Sequence, residues 1–159
     1  SNLNYAKEAM GYMREQSAVL HPKGRLVVAP NGAGKSYYVE HQAQKDWLDQ
    51  DPYLEQVDIP TKSSDKLSEA TMQQADKATL ALKRAGAWVL GATWWDPANV
   101  DAFVIPSAAV TQTRLAAKSD KFDKDFYEKN VQPHIETIRK VAKEHEIPIY
   151  DSFEDIVVS

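Results

Sequence analysis

Apolar positions along the chain fall into two patterns: short unbroken runs, and stripes that repeat every three or four residues. The runs are RLVVAP (25–30), AWVLGAT (87–93), DAFVIP (101–106) and IPIYDS (147–152), with the more polar DWLDQD (46–51) as a fifth. Runs this short, rich in β-branched or aromatic residues, predict buried strands. The stripes predict helices. Leu3, Ala6, Met10 and Met13 share a face, with Asn2 or Asn4 as cap, so residues 1–20 should hold an N-terminal amphipathic helix lying on the domain. HPKG (21–24) reads as a turn, and a helix is expected from about Lys35 to Lys45. In 66–86, Leu67, Ala75, Ala78 and Leu82 line one face and Gly86 supplies the stop. Residues 108–129 read as a charged helix. Val131, Ile135, Ile138 and Val141 stripe another, with Asn130 as cap and Pro133 in the first turn. FEDIV (153–157) reads as a terminal turn or short helix.

Strands alternating with helices imply an α/β fold, a three-layer sandwich around a five-stranded parallel sheet. Ligands of such sheets bind beyond the carboxyl ends of the strands. The unusual polar residues gather at those ends. Asn31 to Ser36 follow the first strand, Asp49 and Asp51 end the second, Thr93 to Asp96 follow the third, Ser107 to Arg114 follow the fourth, and Asp151 ends the fifth.

Composition narrows the partners. A chain of 159 residues without repeats or linkers is expected to form a single domain. The net charge of −4 argues against duplex nucleic acid, whose binding depends on many Lys and Arg at phosphates. The absence of cysteine rules out disulfides and thiolate chemistry. No run approaches the ~18 apolar residues of a membrane span, and SNLNYAKEAM lacks a secretory apolar core. The expectation is a cytoplasmic protein with no membrane partner, whose N-terminal helix is free to meet a partner protein. The histidines, among them His41, His134 and His145, lack metal-ligand spacing, so no zinc site is expected.

The chemistry starts in VVAPNGAGKSYY (27–38). It fits the phosphate-loop pattern G-x-x-x-x-G-K-[ST] from Gly34 onward, with Ala29 at the first glycine position. A polyphosphate needs many donors in a small arc. Small residues let the backbone of Asn31, Gly32, Ala33 and Gly34 curl so that successive N–H groups point inward, and the helix behind adds its positive end. Lys35 would reach the β and γ phosphates, and the Ser36 hydroxyl would ligate Mg2+. Ala29 is compatible if its φ stays negative, and Pro30 restrains it toward an extended conformation. The plainer alternative is a glycine-rich turn with a surface lysine. Asp49 and Asp51, two apart on a strand, should point to one side. Either could orient or deprotonate an acceptor hydroxyl, or hold Mg2+ through water. Alternatively they belong to a polar turn before Pro52, and Asp58 is a rival acid. Trp94 and Trp95 cannot easily share one buried face, so one of them, Trp94 first, is expected to border the substrate.

With these motifs the chain resembles P-loop kinases of the nucleoside, nucleotide and small-metabolite type, the thymidylate, adenylate, shikimate and gluconate kinase group. APNGAGKS is similar to their phosphate loop. DWLDQD is similar to the strand and D-x-D segment that holds the acceptor. RLAAKSDKFDKDFYEKNVQPHIETIRKVAKEHEIPIYDS is similar to the lid, helix and final strand of the thymidylate-kinase-like pattern. The resemblance spans most of residues 25–152 and implies ATP as donor, Mg2+ as cofactor and a small-molecule acceptor. It also implies catalytic roles for Lys35, Asp49 and Arg114, and a lid-like helical segment at about 107–129 carrying Arg114, Lys118 and Lys121. The chain departs from the pattern in two places. Gly91, Ala92 and Thr93 stand where nucleotide-hydrolysing motors place an acid, and lysines without the planar guanidinium fork follow Arg114 in the lid.

Three functions follow from this reading. The first is a phosphotransferase moving the γ-phosphoryl group of ATP-Mg to a nucleoside, nucleotide or related metabolite. The second is a nucleotide-binding module without phosphotransfer, serving a larger assembly. The third is a hydrolytic ATPase or GTPase, which the missing strand-end acid and the absence of N-K-x-D disfavour.

Overall fold

The computed structural model describes residues 4–61 and 67–156. Its five strands are β1 (Arg25–Val28), β2 (Trp47–Asp49), β3 (Trp88–Gly91), β4 (Ala102–Val104) and β5 (Ile149–Tyr150). All pair in parallel, in the order β2-β3-β1-β4-β5. The protein is therefore α/β with a five-stranded all-parallel sheet. The chain leaves central β1 for the β2 edge and later passes from β3 across β1 to β4. Connections thus diverge around β1, which opens a crevice at its carboxyl end.

The helices are α1 (Tyr5–Glu15), α2 (Lys35–His41), α3 (Gln50–Gln56), α4 (Glu69–Arg84), α5 (Ala108–Lys118), α6 (Lys124–Phe126) and α7 (Gln132–His145). Alternate strand residues enter two apolar clusters, as a period of two requires. Leu26, Val28, Leu48, Val89 and Phe103 join residues of α1, α3, α4, α5 and α7 in the larger cluster. Val27, Leu90, Ala102 and Val104 join the smaller one, which α2 and Phe153 complete. Among the described residues no helix is long and apolar enough to cross a membrane.

Several expectations need correcting. In α1, Asn4 caps as expected by accepting from the Lys7 N–H, but the buried face is Ala9, Tyr12 and Met13. Ala6 is exposed and Met10 is 41% exposed, while Leu3 lies outside the described residues. Met13 is buried as expected, but it shares the buried face with Ala9 and Tyr12, whose ring packs on Tyr53 of α3 at 5.2 Å, while Ala6 and Met10 line a groove beside α4. The helix expected over Lys35 to Lys45 ends at His41, where Gln42 turns extended and uses its amide to bond Trp47 N–H and C=O. The expected strand over 46–51 stops at Asp49, so Asp51 stands on a helix. The expected helix over 108–129 breaks at Ser119, which is extended, and Asp123 caps a new start. Asn130 is not a cap. It lies in a π-helical turn, Tyr127–Val131, that runs straight into α7, and its side chain donates to the Phe126 carbonyl.

Candidate active site

The site begins where β1 ends. Ala29 N–H donates to the Gly91 carbonyl at 2.9 Å, so the chain is still extended there, and Ala29 is not among the residues with positive φ. Ala33 N–H then bonds back to the Pro30 carbonyl at 3.2 Å, closing a tight turn. Gly32 and Gly34 take φ of +83° and +90°, the left-handed conformation glycine adopts at least cost. The curl ends at Lys35, the first residue of α2.

The arm over the loop is α5. Ser107 caps it by accepting from the Val110 N–H. Buried Thr111 and Leu115 press on Gly32, while Arg114 reaches across and its Nη1 donates to the Ala33 carbonyl. Lys118 stands one turn further along. Lys121 lies beyond the helix, exposed, outside both clefts described below.

Opposite α5 stands the β2 exit. Asp49 is the N-cap of α3 and accepts from the Asp51 N–H at 3.3 Å; Asp51 follows in the first turn. Asp49 and Asp51 thus lie on different elements rather than on one side of a strand, yet both border the same cleft as the glycine loop. A cleft of about 520 Å³ is bounded by Asn31, Lys35 and Ser36 on the loop side, Asp49 and Asp51 on one flank, and Arg114 and Lys118 on the other. Burial lowers the pKa of the Lys35 ammonium; Asp51 and then Asp49 work against this, and Lys118 adds to it. Burial likewise raises the pKa of the Asp51 carboxyl, Asp49 adds to the rise, and Lys35 opposes it. These groups therefore act on one another electrostatically, although no Lys35 ion pair with either carboxylate forms.

A second cleft, of about 1190 Å³, opens on the far side of the loop. Tyr37, 68% exposed, stacks on His41 at 3.9 Å along one edge. Tyr38 stacks on Phe153 at 5.1 Å, and Arg139 of α7 and Asp151 beyond β5 complete the border. Gly34, Tyr37 and Arg114 border both clefts.

Other expected residues lie elsewhere. Trp94 packs its ring edge-on against Phe103 at 5.7 Å, in the core, and borders neither cleft. Trp95 is exposed but also outside both. Asp58 is exposed at φ +61°, past the end of α3 and away from the clefts.

Four contributors escaped the sequence reading. His134 on α7 has its pKa lowered by burial and then by the Lys35 charge. The Tyr12 hydroxyl is pushed up to about 12 by burial and then by Asp49, so α1 backs the acidic flank. Gln50, wholly buried, joins α3 to β3 and α4. Arg139 borders the larger cleft. The YY after GKS was the one local signal for the larger cleft; the others depend on contacts between distant segments. Among the described residues no group of three or more His, Cys, Asp or Glu could hold a metal ion. No protein-family model matches the chain, and no curated protein is significantly similar to it.

Proposed function

We propose that this protein is an ATP-dependent phosphotransferase that moves the γ-phosphoryl group of ATP to a small acceptor such as a nucleoside, a nucleotide or a related metabolite. One observation carries the reading. The smaller cleft, which holds Lys35 and most of the glycine loop, meets the larger one at Gly34, Tyr37 and Arg114, so two molecules could meet at one phosphate. The larger cleft, edged by tyrosines, suits the donor's base and sugar. The smaller, with Asp49 and Asp51, suits the acceptor.

Phosphoryl transfer asks the protein for position and charge. Backbone N–H groups of the loop and Lys35 would hold the β and γ phosphates. Arg114, anchored on the Ala33 carbonyl, would meet the γ-phosphate as charge moves to the departing oxygen. The acceptor oxygen bonds phosphorus, the bond from the γ-phosphorus to the bridging oxygen breaks, and ADP leaves with that electron pair. The acceptor proton passes to the Asp49 carboxylate.

Hard oxygen donors are present for Mg2+: the exposed Ser36 hydroxyl lies on the same cleft as Asp49 and Asp51. Because they form no closed cage, water and phosphate oxygens would complete the ion's shell, and the ion would supply charge neutralisation.

Two variants test the reading. Lys35→Ala should weaken ATP binding by about 1.5–3 kcal/mol, the usual worth of a charge-assisted contact. Asp49→Asn keeps the helix cap, since asparagine caps as well as aspartate, and removes only the charge. ATP binding should survive while transfer of radiolabelled γ-phosphate falls by roughly 100-fold or more. Unchanged affinity in folded Lys35→Ala would refute the phosphate loop. Wild-type binding without transfer to a broad acceptor panel would move the reading to a non-catalytic nucleotide-binding module.

A further inference from the structure

We propose that Gln50 is a positioning residue: its buried carboxamide ties the Asp49–Asp51 turn to the end of β3 and fixes where the two carboxylates stand relative to Lys35. The inference takes its catalytic readout from the phosphotransfer proposed above, but its geometry is independent of that reading.

The register of the sheet makes the arrangement. Asp49 pairs with Leu90, so the next residue of each segment, Gln50 and Gly91, come side by side. The space beside Gly91 is filled by the glutamine. A Cβ at Gly91 would lie 2.1 Å from Gln50 Oε1 and 2.6 Å from its Cδ. The backbone at Gly91 has no positive φ, so room for the amide, not conformational freedom, requires glycine here.

The amide is held on three sides. Its Nε2 donates to Thr79 Oγ1 at 2.8 Å and to the Thr93 carbonyl at 2.9 Å. Its Oε1 accepts from the Thr93 N–H at 3.1 Å. The two backbone partners fix the orientation of the amide, because a carbonyl can only accept and an N–H can only donate. Gln50 has no exposed surface. An apolar side chain of similar size would leave the Thr79 hydroxyl and the Thr93 N–H and C=O without this partner, which destabilises the fold. Hydrogen bonds set position as well as energy, and Thr79 and Thr93 place the start of α3 against both α4 and the β3 exit. Tyr53 and Leu54, also fully buried, secure the helix further along but not its first turn. Gln50 is directed into the protein, while its chain neighbours, Asp49 on the extended cap and Asp51 in the first helical turn, both border the cleft. The neutral amide thus occupies the β3 end, while the nearby acids come from the β2 exit.

The test is amide hydrogen exchange of the full chain, following the Asp51 N–H, which Asp49 caps, in wild type and Gln50→Met. In folded Gln50→Met the turn loosens, so this amide should exchange faster relative to the amides of the strands. If Gln50→Met does not fold, Thr79→Val removes one amide contact from the far side and should speed the same exchange by less. In phosphotransfer assays, kcat/KM for the acceptor should drop roughly 10- to 100-fold, the scale of a misplaced reacting group, with the ATP Kd within about twofold. A purely structural glutamine would lower the melting temperature and leave both the relative Asp51 exchange and the acceptor kcat/KM of the folded protein unchanged, and that result overturns the proposal. A wild type that binds no ATP would refute the proposed function alone, since the exchange rates still decide the role of Gln50.

Discussion

Gly32 and Gly34 share one backbone conformation but have different neighbours, so replacing each with alanine separates two contributions to the loop. Both variants place a Cβ at left-handed φ, which costs about 1–2 kcal/mol. Both also restrict the unfolded chain, which returns about 0.4–1 kcal/mol. The net backbone term is therefore roughly 0–1.5 kcal/mol for each. At Gly32 the new Cβ would lie 2.7 Å from Leu115 Cγ, 2.9 Å from its Cδ2 and 3.1 Å from Thr111 Cγ2. Leu115 is 1% exposed and Thr111 fully buried, so neither can withdraw cheaply, and overpacking adds about 1–3 kcal/mol. At Gly34 the nearest atom is Arg114 Nη1 at 2.9 Å, the end of a flexible, exposed side chain that can swing into water. Gly32→Ala should therefore lose about 1–3 kcal/mol more than Gly34→Ala, read as a difference in urea midpoint at equal slope. ATP affinity should report the opposite weighting per unit of stability, because Gly34→Ala pushes Arg114 off its Ala33 anchor while barely unsettling the fold. Equal urea midpoints would refute the reading that α5 is pressed onto the loop at Gly32.

Asp51→Asn should raise stability at neutral pH. The folded protein raises this carboxyl's pKa, so the protonated form is favoured; that stability is full below the unfolded pKa and lost as pH rises through the folded one. The gap between variant and wild type should therefore close in acid, and a constant gap in thermal melts across pH would contradict it. Asp76→Ala should cost about 1–2 kcal/mol in urea unfolding. Its carboxylate, 7% exposed, accepts from Trp95 N–H at 2.9 Å, Asp96 N–H at 2.6 Å and Asn99 Nδ2 at 3.3 Å. Water can replace it at the exposed Trp95 and Asp96, and an unchanged midpoint would show that it already does.

What the sequence made legible depended on how local each cause was. Strands buried on both faces read as unbroken apolar runs, so β1, β3 and β4 were visible. The left-handed turns at Gly32 and Gly34 were visible because glycine supplies them. In the acidic flank Asp49 ends β2 as expected, but Asp51 was placed on the strand and stands on α3. DWLDQD carries too few apolar positions to separate a strand end from a helix cap, although Asp49 is a good cap. The α1 face was misread because Ala6 and Met10 are as apolar as Ala9, and only the contact with α4 chooses between them. The new start at α6 was signalled by Asp123, whose carboxylate accepts from the Phe126 N–H, but the charged run around it looked continuous. Gln50 could not be read at all. Its partners are Thr79 and Thr93, and a lone glutamine between two aspartates looks like solvent-exposed sequence. The Arg114 contact with Ala33 spans 81 positions, and no periodicity encodes such a pairing.

The charges of the smaller cleft explain why such a site stands ready for a ligand. Burial disfavours the charged forms of both Lys35 and Asp51, and their mutual attraction offsets only part of that cost. On the cationic side, Lys118 repels Lys35, and His134 is driven toward its neutral form by burial and by Lys35. The free protein therefore holds a lysine whose charge is underpaired and a histidine that cannot share it. An entering phosphate would supply the missing anion beside Lys35. That would favour the charged lysine and relieve the repulsion from Lys118. The carboxylates have the opposite preference, since an anion close to Asp49 and Asp51 would repel their charges. The two demands are met together when phosphate lies on the loop side and an uncharged, hydrogen-bonding group lies on the Asp49 side. The division of charge across one cleft thus sets an orientation. In the proposed reaction the phosphorylated molecule would lie on the glycine-loop side and its acceptor on the side of the β2 exit.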